Sequence, residues 1–227
     1  MSITLAIPPT AETENGEQHF VMGRVTWDAY LKIGEALEDQ PGLRLIYCDG
    51  RLAFMGKSRR HDWFAERLAE FVKAMARGLG MPWEDAGQAT YRSEKTNAGL
   101  EGDKTFYFGE HAVLMRGPAD IDLEVQPPPD LAIEVEVSYS ADAAVVAWGR
   151  LGVPEVWRFQ SKSSRFTILV RRDDGSYSEA DRSLAFPALS SAAILERLNR
   201  AIELGADRWN EELDAWVRKI VGPRHDG

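Results

Sequence analysis

The segment Pro127 to Ser138 reads PPPDLAIEVEVS, and it places Glu134 and Glu136 two positions apart in an apolar run. In a β-strand, residues two apart point to the same face. The other face, formed by Leu131, Ile133, Val135 and Val137, is then continuously apolar. Two like charges side by side on a half-buried strand are costly unless something positive lies between them. A divalent cation meets that need, because hard cations take oxygen ligands. A third acid, Asp103, stands immediately before the apolar segment Lys104–Phe108. If the two segments are neighbouring strands, Asp103 and Glu134 can converge on one cation. Such a centre generates a hydroxide nucleophile and offsets charge on a phosphodiester in its transition state. The plainer alternatives remain open on spacing alone. Asp103 is a turn residue after Gly102, and Asp favours turns; Glu134 and Glu136 are exposed strand residues.

Other polar residues carry two readings each. His61 opens a helical segment beside Lys57, Arg59 and Arg60, either as a phosphate-contacting patch or, more plainly, as a solvated helix start. Glu66 is an outer-sphere acid or, better, a surface charge. Asp120, Asp122 and Glu124 alternate, and a solvated acidic loop explains them better than a metal site does. Asp130 caps the triple-proline turn, and Asp142 caps the next helix. Trp148 and Trp157 suit core packing better than stacking on a ligand.

The elements that must position these residues follow from periodicity. Thr26 is a good N-cap for a helix from Trp27 to Leu37. Leu43 to Cys48 and Arg51 to Met55 flank Asp49-Gly50, a hairpin signal. Apolar residues from Phe64 to Leu79 keep a helical period, so a helix from about His61 to Leu79 is expected. Ala89 to Ser93 and Lys104 to Phe108 read as strands, with a polar turn, EKTNAGLEG, between them. His111 to Met115 reads as a strand or the end of a loop. Leu131 to Val137, Glu155 to Phe159 and Phe166 to Val170 are strands rich in branched and aromatic residues. Asp142 to Leu151 is helical, with Gly152 as its stop. Asp174-Gly175 turns the chain onto Ser176 to Glu179. Ser190 caps a helix to Leu204, and a last amphipathic helix runs from Asp207 to Val221. This order implies an α/β or α+β sandwich with a mixed sheet, in which Leu131–Leu151–Glu155 forms one parallel crossover.

Composition sets the outer bounds. The chain has 227 residues, 44% hydrophobic and 28% charged. That suits a single domain from residue 21 to 227, with C-terminal helices at about 190–221 and a flexible tail over 1–20. A chain of this size buries roughly 70% of its unfolded surface. The single cysteine, Cys48, excludes an internal disulfide and a cysteine-based zinc site. No apolar run reaches the ~20 residues that span a bilayer, and the first residues lack a signal-peptide pattern; a soluble cytoplasmic protein is expected. A net charge of −9 argues against holding nucleic acid through a general positive field, though a local basic groove remains open.

Three motifs, GLEGDKTFYF (Gly99 to Phe108), PPPDLAIEVEVSYS (Pro127 to Ser140) and LGVPEVWRF (Leu151 to Phe159), resemble the Uma-two family of putative restriction endonucleases. So do YCDGRLAFMG followed by His61, and DGSYSEADRSLAFPALS from Asp174 to Ser190. The resemblance covers nearly the whole chain after about residue 20. It implies the PD-(D/E)XK nuclease superfamily, with a restriction-endonuclease-like core: a mixed β-sheet flanked by helices. It also implies catalytic Asp103, Glu134 and Glu136, with Asp103 and Glu134 as ligands of Mg²⁺ or Mn²⁺, and DNA as substrate. Two departures stand out. Gly102 replaces the motif proline, and Glu136 falls where the superfamily has a lysine that orients or activates water. Many relatives also lack that lysine and often carry a basic residue on the next helix, at the position where this chain has Ala144. Arg92, with His61, is the expected accessory group, ahead of Arg150 and of Lys104, which should face away from Asp103. A weakened nuclease acting as a nucleic-acid or protein binding module is the alternative, and a homodimer through the C-terminal helix is a further expectation.

Overall fold

The computed structural model describes residues 17, 19–38, 42–117 and 120–222. The expected tail over 1–20 lies largely outside them.

Strands β1 (His19–Met22), β2 (Leu43–Cys48), β3 (Arg51–Gly56), β5 (Thr90–Ser93) and β6 (Ala98–Glu101) make one sheet in the order β1-β3-β2-β6-β5. Strands β4 (Trp83–Gly87), β7 (Lys104–Phe108), β8 (Leu131–Glu136), β9 (Glu155–Gln160), β10 (Arg165–Arg171) and β11 (Tyr177–Ala180) make a second, in the order β11-β10-β9-β8-β7-β4. The first sheet is antiparallel throughout. The second is mixed, because β8 and β9 run parallel. Helix α4 (Asp142–Leu151) makes the crossover between them, as the spacing predicts.

Strand alternation sorts the side chains into layers. Leu131, Ile133 and Val135 of β8 pack with Trp157 and Ile168 against α2 (Arg59–Leu79), α5 (Ser191–Glu203) and α6 (Ala206–Val221). The opposite face of the second sheet, with Tyr107, Ala132 and Val156, packs on α4 and on Ile46, Tyr91 and Leu100 of the first sheet. The outer face of the first sheet carries Tyr47 against Tyr30 of α1 (Trp27–Ala36), their rings stacked at 4.7 Å. Side chains facing the space between the sheets are therefore the ones that meet from distant parts of the sequence.

Local signals explain most boundaries. Asp49 and Gly50 both have positive φ, 48° and 74°, the backbone that a two-residue hairpin turn requires. Ser58 caps α2 by accepting from the His61 backbone N–H at 3.2 Å, and Gly80 ends it in the left-handed region. Asp142 is the first residue of α4 rather than its cap.

Two expectations change, and β4 lies where the sequence pattern assigned no element. The turn EKTNAGLEG contains β6, which pairs with both β2 and β5. Gly99 hides it, since glycine is a poor strand former. It is needed there because a Cβ at Gly99 would stand 2.5 Å from the Tyr30 hydroxyl. WEDAG forms the edge strand β4, with a bulge before Gly87. His111 to Met115 is neither strand nor loop; Gly109–Leu114 is a short helix, α3, held by Asp130, which accepts from the Phe108 N–H at 2.7 Å and contacts His111 Nδ1 at 2.8 Å.

Candidate active site

Strands β7 and β8 pair antiparallel, with Lys104 opposite Ile133 and Thr105 opposite Ala132. One further step in that register sets Asp103 against Glu134. Both carboxylates lie on the face that looks toward the first sheet, and both are fully buried. The convergence expected from the sequence therefore occurs, and on one side of the sheet.

Between them is Arg44 of β2. Its position in the strand matches Ile46, which faces the inter-sheet core, while Leu45 and Tyr47 pack outward. Arg44 Nη1 donates to Asp103 Oδ1 at 3.0 Å and to Glu134 Oε2 at 2.8 Å. Nη2 donates to Glu134 Oε1 at 2.7 Å. Nε donates to the Glu101 carbonyl. This planar fork suits carboxylates better than an ammonium does. The remaining acceptor capacity is shared among other donors. Trp148 Nε1 donates to Glu134 Oε1 at 2.6 Å. The Val135 N–H donates to Asp103 Oδ2 at 2.9 Å, and His61 Nε2 lies 3.0 Å from the same oxygen. Lys57 Nζ stands 3.9 Å from Asp103 Oδ1 and 2.9 Å from Glu101 Oε1.

These neighbours polarise the two acids differently. Burial pushes the Asp103 carboxyl up, but Arg44, His61 and Lys57 outweigh it and hold Asp103 well below the usual carboxylate range. Burial also dominates at Glu134, with the Asp103 charge adding to it and Arg44 and Trp148 opposing, so Glu134 is raised. Burial disfavours charge on the His61 imidazole. The Asp103 charge and contact prevail over it, and over Arg44 and Lys57, so His61 is raised above its ordinary value.

The other expected residues are distributed around this centre. His61 is buried and joins it through its side chain, as does Lys57, so the solvated helix start does not describe either. Glu136 is buried but turns to a separate cluster. It accepts from Arg158 Nε, from Gln160 Nε2 at 3.0 Å and from the Ala141 N–H at 2.8 Å. Arg92 is not brought to the pair. Its neighbour Tyr91 faces the inter-sheet core, so Arg92 points outward and lies over the Tyr30 ring at 5.7 Å. There it borders a cavity of about 580 Å³ that Gly34, Glu35 and Lys57 also line. Lys104 faces away as expected, and pairs with Glu66 on α2. Arg150 pairs with Asp49, and Ala144 is buried in the core. Arg44 is the residue that sequence reasoning missed. Its signal was a lone cation inside the apolar strand LRLIYC, at a position of the same parity as the core residue Ile46.

Two hard carboxylates closing around one cationic point are a donor set suited to Mg²⁺ or Mn²⁺, and the Arg44 guanidinium stands at that point. Asp103 and Glu134 would hold such an ion. Among the described residues no group of three or more His, Cys, Asp and Glu side chains is placed to hold a metal.

The acidic pair thus lies on two adjacent strands of a mixed sheet that has helices packed on both faces, an α/β arrangement. The family model described as Uma2, putative restriction endonuclease, matches residues 27–203, and the chain belongs to that family. A crystal structure of a putative nuclease belonging to DUF820 from Anabaena variabilis superposes with a TM-score of 0.51 at 12% identity, covering 77% of this chain and 99% of that one. At that identity the likeness shows the fold. No curated protein matches the chain. Among the described residues no helix is long and apolar enough to cross a membrane.

Proposed function

We propose that this chain is a metal-dependent endonuclease that hydrolyses DNA phosphodiester bonds in the cytoplasm, with Asp103 and Glu134 as its metal ligands. The observation that carries the reading is the meeting of both carboxylates at one atom, Arg44 Nη1, at 3.0 Å and 2.8 Å. When bound there, Mg²⁺ or Mn²⁺ supplies Lewis-acid activation of water and charge stabilisation at phosphorus. The protein's own groups do the rest. The Val135 N–H and His61 fix Asp103 through Oδ2, and Trp148 fixes Glu134 through Oε1. Lys57 brings an ammonium to the pair, which makes it a better candidate for the missing motif lysine than Arg92. The test is cleavage of supercoiled and linear DNA by purified protein with Mn²⁺ or Mg²⁺, against Asp103→Asn and Glu134→Gln. Loss of cutting in both variants supports the reading. DNA left intact by the wild-type protein after prolonged incubation overturns it.

One observation favours a second reading, a silent nuclease fold that binds nucleic acid or protein. The four oxygens of the acidic pair all accept from the chain's own donors, and neither Glu136 nor Ala144 supplies a cation. Retardation of DNA on a gel without cleavage, in any divalent ion, selects this reading.

A further inference from the structure

We infer that Arg44 is a resident counter-cation of the Asp103–Glu134 pair, and that it competes directly with any divalent ion for that position. The inference rests on the proposed metal site and adds its regulation.

The guanidinium is not a passing surface contact. Arg44 is 2% exposed, and it reaches the pair from a strand of the other sheet. Its Nε and both Nη atoms are engaged, with one end anchored on the Glu101 carbonyl. It takes an oxygen of each carboxylate, so a metal cannot acquire both ligands while the fork stays in place. Adding an ion beside it would put three positive charges against two negative ones in a dry centre. Like charges at such range repel strongly where water does not screen them. Occupancy by arginine and by metal is therefore exclusive. Binding an ion requires the link between β2 and β8 to open, which ties metal loading to the contact between the two sheets.

The experiment titrates MnCl₂ into the full-length wild-type protein, Arg44→Gln and Arg44→Lys, following binding by calorimetry and by the free-Mn²⁺ electron paramagnetic resonance signal. Thermal unfolding with and without Mn²⁺ runs in parallel. The lysine variant keeps a buried charge but cannot bridge both acids, so it preserves the test if the glutamine variant does not fold. Weak millimolar binding by the wild-type protein is expected, tightening about tenfold to a thousandfold in Arg44→Gln, the range that removing a neighbouring like charge gives, and by a smaller factor in Arg44→Lys, which opens the bridge but keeps the charge. Mn²⁺ should also raise the variants' Tm more than the wild type's. Micromolar Mn²⁺ binding by the wild-type protein overturns the inference, and so does equal affinity in the wild type and whichever variant folds. Cleavage assays on the same samples separate the two readings. Tight Mn²⁺ binding by a variant, with DNA left intact by the wild-type protein and by the variant alike, sinks the nuclease proposal and leaves the role of Arg44 standing.

Discussion

Asp103 and Glu134 are compensated by a guanidinium that the chain itself supplies. A buried pair of this kind is weak evidence for stability, yet breaking it is expensive because the abandoned charges stay buried. Arg44→Met should therefore lower the unfolding free energy by about 3–5 kcal/mol, read from urea denaturation midpoints; a loss under about 1 kcal/mol would mean that the carboxylates find water or another cation. Trp148 binds Glu134 through a charged hydrogen bond at 2.6 Å. Trp148→Phe keeps most of the ring and removes the donor, at a cost of about 1.5–3 kcal/mol. The spacing of Glu134 in its strand and the place of Asp103 before its own were legible, because both follow from strand alternation and turn preference. The misreading of Arg92 as accessory has a simple cause. Its side of the sheet depends on the alternation within β5, and Tyr91 has taken the inner face.

Individual elements show where periodicity suffices and where it does not. The bounds of β2, β7 and α4 match their sequence patterns, since each has a clear alternation or helical stripe. Strand β6 defeated the pattern because its central residue is chosen for what lies above it. Gly99→Ala should destabilise the chain by about 1–3 kcal/mol, the usual cost of overpacking, since its Cβ would collide with Tyr30. A thermal melt unchanged from wild type would show that Tyr30 yields freely. At the start of α2, Ser58→Ala removes a cap worth about 1 kcal/mol. It also frees the turn that points His61 at Asp103, so nuclease activity should fall more than stability does.

Across the molecule, the layer between the two sheets buries Tyr91 and Tyr107 completely, and Tyr177 of the edge strand β11 packs partly buried against it. Tyr91 and Tyr177 are both raised above the ordinary tyrosine value by burial, and Tyr107 is pushed up to about 12. Tyr91 donates to Thr105 Oγ1 at 2.7 Å and Tyr177 to the Val153 carbonyl at 2.6 Å. The unfolded chain ionises these phenols near pH 10. Their contribution is thus intact below pH 10 and is lost as pH rises through the folded values. Absorbance at 295 nm should show these phenols still protonated at pH 10.5, with their ionisation accompanying alkaline unfolding. Full, reversible titration of every tyrosine near pH 10 in the folded protein would contradict the sealed inter-sheet layer.

The sequence by itself determined the local grammar: which segments alternate, where hairpins turn, that α4 links two parallel strands, and that two acids lie where neighbouring strands can present them together. Those features depend on residues close in the chain, whose geometry is fixed by backbone periodicity. Only the tertiary structure decided which cation meets the acids. Arg44 arrives from a different sheet, and no local period encodes which of 27 basic side chains packing will bring to a buried carboxylate. That choice is made by the alignment of two sheets across a shared core, a long-range outcome that exists only once the chain has folded.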